Sequence, residues 1–261
     1  MKGLFRFTFQ KQLFYFPLFV ALIVLFVLIS LGEIQITGNT LFDDASTYIY
    51  DGNEVLLDLF TGLDNLTIIY VPLFFLFGIH LMQRMEHMGY LILRHKNRHA
   101  WSGKLLGVSI LVWITFMFFY MLSNFILVHA FFPFKNRRTI FSDLLKVPKE
   151  HLAAEYIPSA ALKFGLCLLA FLWLYILLRF LFEKKGVAIA VILFYLAANI
   201  AYPRLPYIPF FSQWLAYSMI SCVKMYHPMG LWLLIARICL FGLGIVLFSN
   251  RFQFKWKEVR Q

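Results

Sequence analysis

Charge is scarce in this chain, and negative charge is scarcer still. Only 14% of the 261 residues are charged, and 13 Asp and Glu stand against 24 Lys and Arg, for a formal net charge of +11. An ordinary soluble domain carries roughly 25% charge. With 61% hydrophobic and 19% aromatic residues, a water-soluble fold of this length has no means of hiding its apolar surface, so the bilayer is the expected solvent. A cation surplus in a soluble protein would point to nucleic acid. Here the cations gather at the ends of apolar runs, as in membrane proteins, and no nucleic-acid partner is expected.

Chemical motifs are missing too. The three cysteines form no CxxC pair, which removes the usual zinc and redox patterns. Cys167 and Cys239 sit inside apolar runs, and Cys222 sits between two. His95 and His99 stand four apart, but they have cationic neighbours and no HExxH, so no metal is expected. Glu150, His151 and Glu155 lie in a polar stretch without a partner pattern and read as solvated. The tetrad Ser102-Gly103-Lys104-Leu105 lacks both the leading glycine and the closing Ser or Thr of a P-loop, so this chain does not cradle nucleotide phosphates itself. It is expected to be neither an enzyme nor a binder of a cofactor of its own.

What is present is length of apolar sequence. A helix crosses about 30 Å of hydrocarbon with about 20 residues. Six runs qualify: 13–31, 66–83, 105–132, 159–182, 187–203 and 230–249. The expected fold is therefore all-α, a single polytopic domain of six transmembrane helices. The first run is too long, and Ser30-Leu31-Gly32 too poor a cleavage site, for a removed signal, so it is taken as a retained span. The stretch 207–223 is apolar, but Pro206, Pro209 and several Ser and Gln interrupt it, so a re-entrant or interfacial hairpin between spans five and six is expected.

Six spans put both termini on one side. Fifteen Lys and Arg fall on the side holding the termini and eight on the other, which places both termini in the cytoplasm. The first outer loop, 32–65, has no Lys or Arg but carries Glu33, Asp43, Asp44, Asp51, Glu54, Asp58 and Asp64. It reads either as a solvated cap or as a collecting surface for a cationic substrate.

The inner loop 83–104, QRMEHMGYLILRHKNRHAWSGK, is dense in cations. Met85, Met88, Leu91 and Ile92 recur at helical spacing, which predicts a short interfacial helix bent at Gly89. Trp101 then falls at headgroup depth. This loop is either an anchor on anionic membrane lipid, worth about 1 kcal/mol per basic residue, or a docking element for a soluble partner. Inside the spans, Arg237 is the costliest residue, at least about 2.5 kcal/mol unless paired or snorkelling. Lys163 and Arg179 are placed to snorkel. Asn124 and Asn199 are expected to make interhelical hydrogen bonds of about 1 kcal/mol each.

On these features the chain resembles the permease subunits of ABC-2 type transporters. The resemblance lies in the six-span layout, the amphipathic segment GLFRFTFQKQL (3–13), and Glu86, Gly89, Arg98 and Gly103-Lys104 around the loop after span two. It extends to the proline-broken outer segment 203–229 and the short basic tail. It implies an N-terminal interfacial helix and a cytoplasmic coupling helix built from Glu86, Gly89, Arg94, Arg98, Gly103 and Lys104. It also implies a separate ABC ATPase subunit that holds ATP and Mg, a second permease copy, identical or not, and a cell-membrane location in a bacterium. The path would run between the copies, with Arg237, Asn124 and Asn199 as candidates for the path or the dimer seam. An amphipathic or hydrophobic cargo such as an antimicrobial peptide would suit the 31 phenylalanines. The competing reading is a scaffold or sensor whose basic loop binds a partner or lipid.

Overall fold

A computed structural model describes residues 16–43, 52–62, 66–87, 98–132, 156–182, 184–201, 218–224 and 228–249. All regular structure among the described residues is helical. In chain order the helices are α1 (Phe16–Asp43), α2 (Gly52–Thr61), α3 (Val71–His87), α4 (Arg98–Phe131), α5 (Ile157–Leu181), α6 (Lys185–Ala201), α7 (Met219–Lys224) and α8 (Met229–Phe248), and a π-turn over Leu66–Tyr70 leads into α3.

Local sequence explains where these helices start. Pro158 occupies the first turn of α5, where its missing N–H would have had no partner anyway. Pro228 precedes α8 in the same way. Pro72 is one residue inside α3. It cannot donate to the carbonyl four residues back, and the helix widens to the π-turn directly ahead of it.

Three described helical segments are long and apolar enough to cross a membrane: Ser102–Phe131, Ile157–Leu181 and Met229–Phe248. At 1.5 Å per residue they measure about 45, 37 and 30 Å. Val55–Thr61 and Leu66–His80 together form a fourth if counted as one span bent by 51°. Pro17–Gly32 and Lys185–Ala201, where the first and fifth spans were expected, are apolar but shorter. The chain is thus a bundle of apolar helices suited to a membrane.

α5 is the centre of that bundle. In its most apolar stretch 78% of residues are buried, against 11% for α8, and it packs on α2, α3, α4, α6, α7 and α8. In a bilayer no hydrophobic drive holds helices together, so close fit and hydrogen bonds must do so. Gly242 and Gly244 of α8 lie directly against Trp173 and Leu177, one turn apart on α5. Gly78 of α3 abuts Leu172, and Gly165 of α5 abuts Met117 and Trp113 of α4. Two indoles tie α4 to α5: Trp113 Nε1 donates to the Gly165 carbonyl at 2.6 Å, and Trp173 Nε1 donates to Ser109 Oγ at 2.8 Å.

Several expectations change here. α1 continues to Asp43, well past the predicted end of span one at 31. The acidic stretch 32–65 does not lie wholly outside the bundle. It contains α2, whose Val55, Leu56, Leu57, Leu59 and Phe60 are all at most 5% exposed. Lys163 and Arg179, expected to snorkel, are buried at 3% and 4% exposure, because α5 has neighbours along its whole length. The N-terminal segment 3–13, the loop core 88–97 and most of 203–229 lie outside the described residues. Ser218, the short helix α7 and Pro228 are the described part of the expected hairpin.

Candidate functional site

Buried polar side chains occur at both ends of the bundle, Ser102, Arg179 and Ser249 at one and the larger set at the other, the end into which α2 inserts. Two groups of them meet there.

The first group is a hydroxyl node inside an aromatic box. Ser30 of α1 donates its hydroxyl to the Phe26 carbonyl at 3.0 Å. Its oxygen lies 3.3 Å from the Tyr70 hydroxyl and 3.4 Å from that of Tyr120. With its only proton committed to Phe26, Ser30 Oγ is the acceptor for both tyrosines. Phe26 packs on Tyr70 and Tyr120 with ring centroids 4.8 and 5.4 Å away. Phe164 of α5 stacks on Tyr120 at 5.5 Å, and Phe60 of α2 closes the box against Tyr120 at 6.3 Å and Phe164 at 6.0 Å. Asn124 lies one turn beyond Tyr120 on α4. It is fully buried, and neither its Nδ2 nor its Oδ1 finds a hydrogen-bond partner. A buried amide in that condition is uncommon and costs on the order of 1–3 kcal/mol.

The second group is cationic. Arg237 of α8 donates Nη1 to Cys222 Sγ of α7 at 3.4 Å. Lys163 of α5 acts on the same thiol electrostatically. Burial pushes the Cys222 thiol up from its ordinary value, while Arg237 and Lys163 pull the other way. α7 is itself pinned at its start. Ser218 Oγ accepts the Ser221 N–H at 3.1 Å as a capping side chain, and the Met219 N–H donates to the Tyr195 hydroxyl of α6 at 2.9 Å. Three helices, α5, α6 and α8, therefore meet around the short α7.

Comparison with protein-family models, curated proteins and solved structures returned no match. The functional reading therefore stands on the residues and their geometry.

The three residues singled out for a path or seam do not form one cluster. Arg237 lies in the cationic group, within electrostatic reach of Tyr195. Asn199 is one turn along α6 from Tyr195, but its Nδ2 donates to the Tyr195 carbonyl of its own helix at 2.8 Å, not across helices. Asn124 belongs with the hydroxyl node on α4 and makes no interhelical bond. Of the coupling residues, Glu86 falls in the last turn of α3 and Arg98 opens α4. Gly103 is exposed and Lys104 half-buried on α4, while Gly89 and Arg94 lie outside the described residues. Sequence reading did not find Ser30, Tyr70 and Tyr120 as a unit, although a serine within an apolar run was a usable signal. No group of metal-ligating side chains occurs among the described residues.

Proposed function

We propose that the chain is the permease subunit of an ABC-2 type exporter, with six crossings, both termini cytoplasmic and a separate ATPase. It moves an amphipathic or hydrophobic substrate, a peptide being the leading class. The observation that carries this reading is the asymmetry of the bundle. One end holds the larger set of buried polar groups, with hydroxyls, an amide, thiols and cations drawn from α1, the π-turn and α4 to α8. The sequence beyond the other end of α3 and α4 is a basic run, RHKNRH (94–99). A bundle that only anchors a partner has little need of buried polar groups, which are costly in a membrane and accompany substrate and ion pathways. The basic run between α3 and α4 supplies a docking element through which a nucleotide-hydrolysing partner could tilt both helices. A second permease copy completes the complex.

The test is purification of the tagged full chain from its native membrane. A P-loop ATPase is expected to come with it, and replacing Glu86 and Arg98 together by Ala releases that ATPase while the bundle keeps its elution profile. A wild-type preparation free of any ATPase favours the scaffold reading, with RHKNRH gripping anionic lipid. An intact double-variant complex that still couples ATP turnover removes the docking role.

A further inference from the structure

α2 is a ten-residue helix, about 15 Å long and so only about half the thickness of the hydrocarbon. It dips into the bundle, and it cannot cross. A helix so short is marginal by itself and owes its place to its neighbours. Its described side chains are buried, with Leu57 at 1%, Phe60 at 3%, and Asn53 and Thr61 at 8% exposure. It packs on α4 and α5 and touches α1 and α7, so it reaches both polar groups. It is also set apart from the span that follows. The axis of Val55–Thr61 and that of Leu66–His80 differ by 51°. The Leu66 N–H reaches back to the Gly62 carbonyl at 3.0 Å, which ties the start of the π-turn to the residue after α2. It touches Tyr120, which shares the Ser30 oxygen with Tyr70, and one turn further along α4 is the buried Asn124 amide, whose two polar atoms have no hydrogen-bond partner. Phe60 is the side chain of α2 that closes over this box, through ring contacts to Tyr120 and Phe164.

We infer that α2 is a plug: seated, it seals the polar end of one protomer, and withdrawn, it opens the hydroxyl node and Asn124 to water and cargo. This rests on the transport reading only in that a plug needs a path to close. It moves the gate from the seam between two copies into the interior of each. The bend between α2 and the helix that follows supplies the joint, and the aromatic contacts of Phe60 supply the latch.

The test uses the purified full chain in potassium-loaded liposomes, with potassium efflux as the readout and no ATPase or cargo present. Wild type is tight. Phe60→Ala, which removes both ring contacts, is expected to raise efflux at least tenfold. If Phe60→Ala does not yield folded protein, Phe60→Leu keeps more of the volume and still loses both ring contacts. A Phe60→Cys/Phe164→Cys pair, built in a background with Cys167, Cys222 and Cys239 replaced by Ala, leaks before treatment and seals after bridging by a short bis-thiosulfonate reagent. Folded latch variants no leakier than wild type overturn the plug, whether or not an ATPase purifies with the chain. Bridging that fails to reduce the leak of the cysteine pair overturns it equally. Leak with sealing, in a chain that binds no ATPase, keeps the plug and removes the ATP-driven reading.

Discussion

Gly242→Ala tests the packing logic of the bundle most directly. A methyl carbon built on Gly242 sits 2.8 Å from Trp173 Cζ3, 3.5 Å from Cε3 and 3.7 Å from Cη2. Carbon contacts are comfortable at 3.5–4.0 Å, so the indole or α8 must retreat by roughly 0.7–1.2 Å. The indole is not free to tilt. Trp173 is 8% exposed and holds Ser109 Oγ at 2.8 Å. Overpacking of this kind costs about 1–3 kcal/mol, and losing the indole hydrogen bond adds about 0.6–1 kcal/mol in a bilayer. The better helix propensity of alanine returns only about 0.5–1 kcal/mol. The expected net loss is about 1–3 kcal/mol, read as a lower SDS fraction at the unfolding midpoint, followed by tryptophan fluorescence in mixed micelles. Gly32 and Gly103 are the controls, since a methyl group at either meets nothing within 4 Å; both Ala variants should match or exceed wild type. Pairing Gly242→Ala with Trp173→Phe should cost less than the sum of the two, because the phenyl ring no longer fills the methyl's place. If Gly242→Ala proves as harmless as Gly32→Ala, α8 does not sit on α5 at this distance and the seam is wrong.

Two further outcomes follow from the polar end. Ser30→Ala withdraws the acceptor shared by the Tyr70 and Tyr120 hydroxyls and should cost about 1–3 kcal/mol; in the same SDS titration, Tyr70→Phe added to it should cost less than Tyr70→Phe alone. Asn124→Leu replaces an amide that finds no partner with an apolar group of similar size and should stabilise by about 1–2 kcal/mol. A marked loss of stability would show that the amide is bonded after all.

The runs that became α4, α5 and α8 were legible because hydropathy alone decides them: each is long, nearly uncharged and uninterrupted by proline. α2 was illegible for the converse reason. Asp51, Glu54, Asp58 and Asp64 punctuate its neighbourhood, and against that charge Val55, Leu56, Leu57, Leu59 and Phe60 read as part of a solvated loop. Only tertiary packing shows that they are covered. Arg237 and Asn124 stood out as polar residues in apolar surroundings. The Ser30 node did not, because its tyrosines are ordinary residues in a chain rich in aromatics and lie 40 and 90 positions away. Asn199 shows a further limit. A sequence places an amide in a helix, but it does not say whether the amide turns to a neighbour or to the carbonyl four residues back, which is nearer.

The central place of α5 has a consequence for how the protein is made. Its first residue is Ile157, so more than half the chain leaves the ribosome before the helix that most of the others touch exists. Until then α3 and α4 must wait in the lipid with one side uncovered, and α2, too short to cross, has only part of its seat, against α4 and α1. A nascent chain stalled ahead of Ile157 should therefore be a ready substrate for membrane proteases, and completion of α5 should be the event that ends that vulnerability.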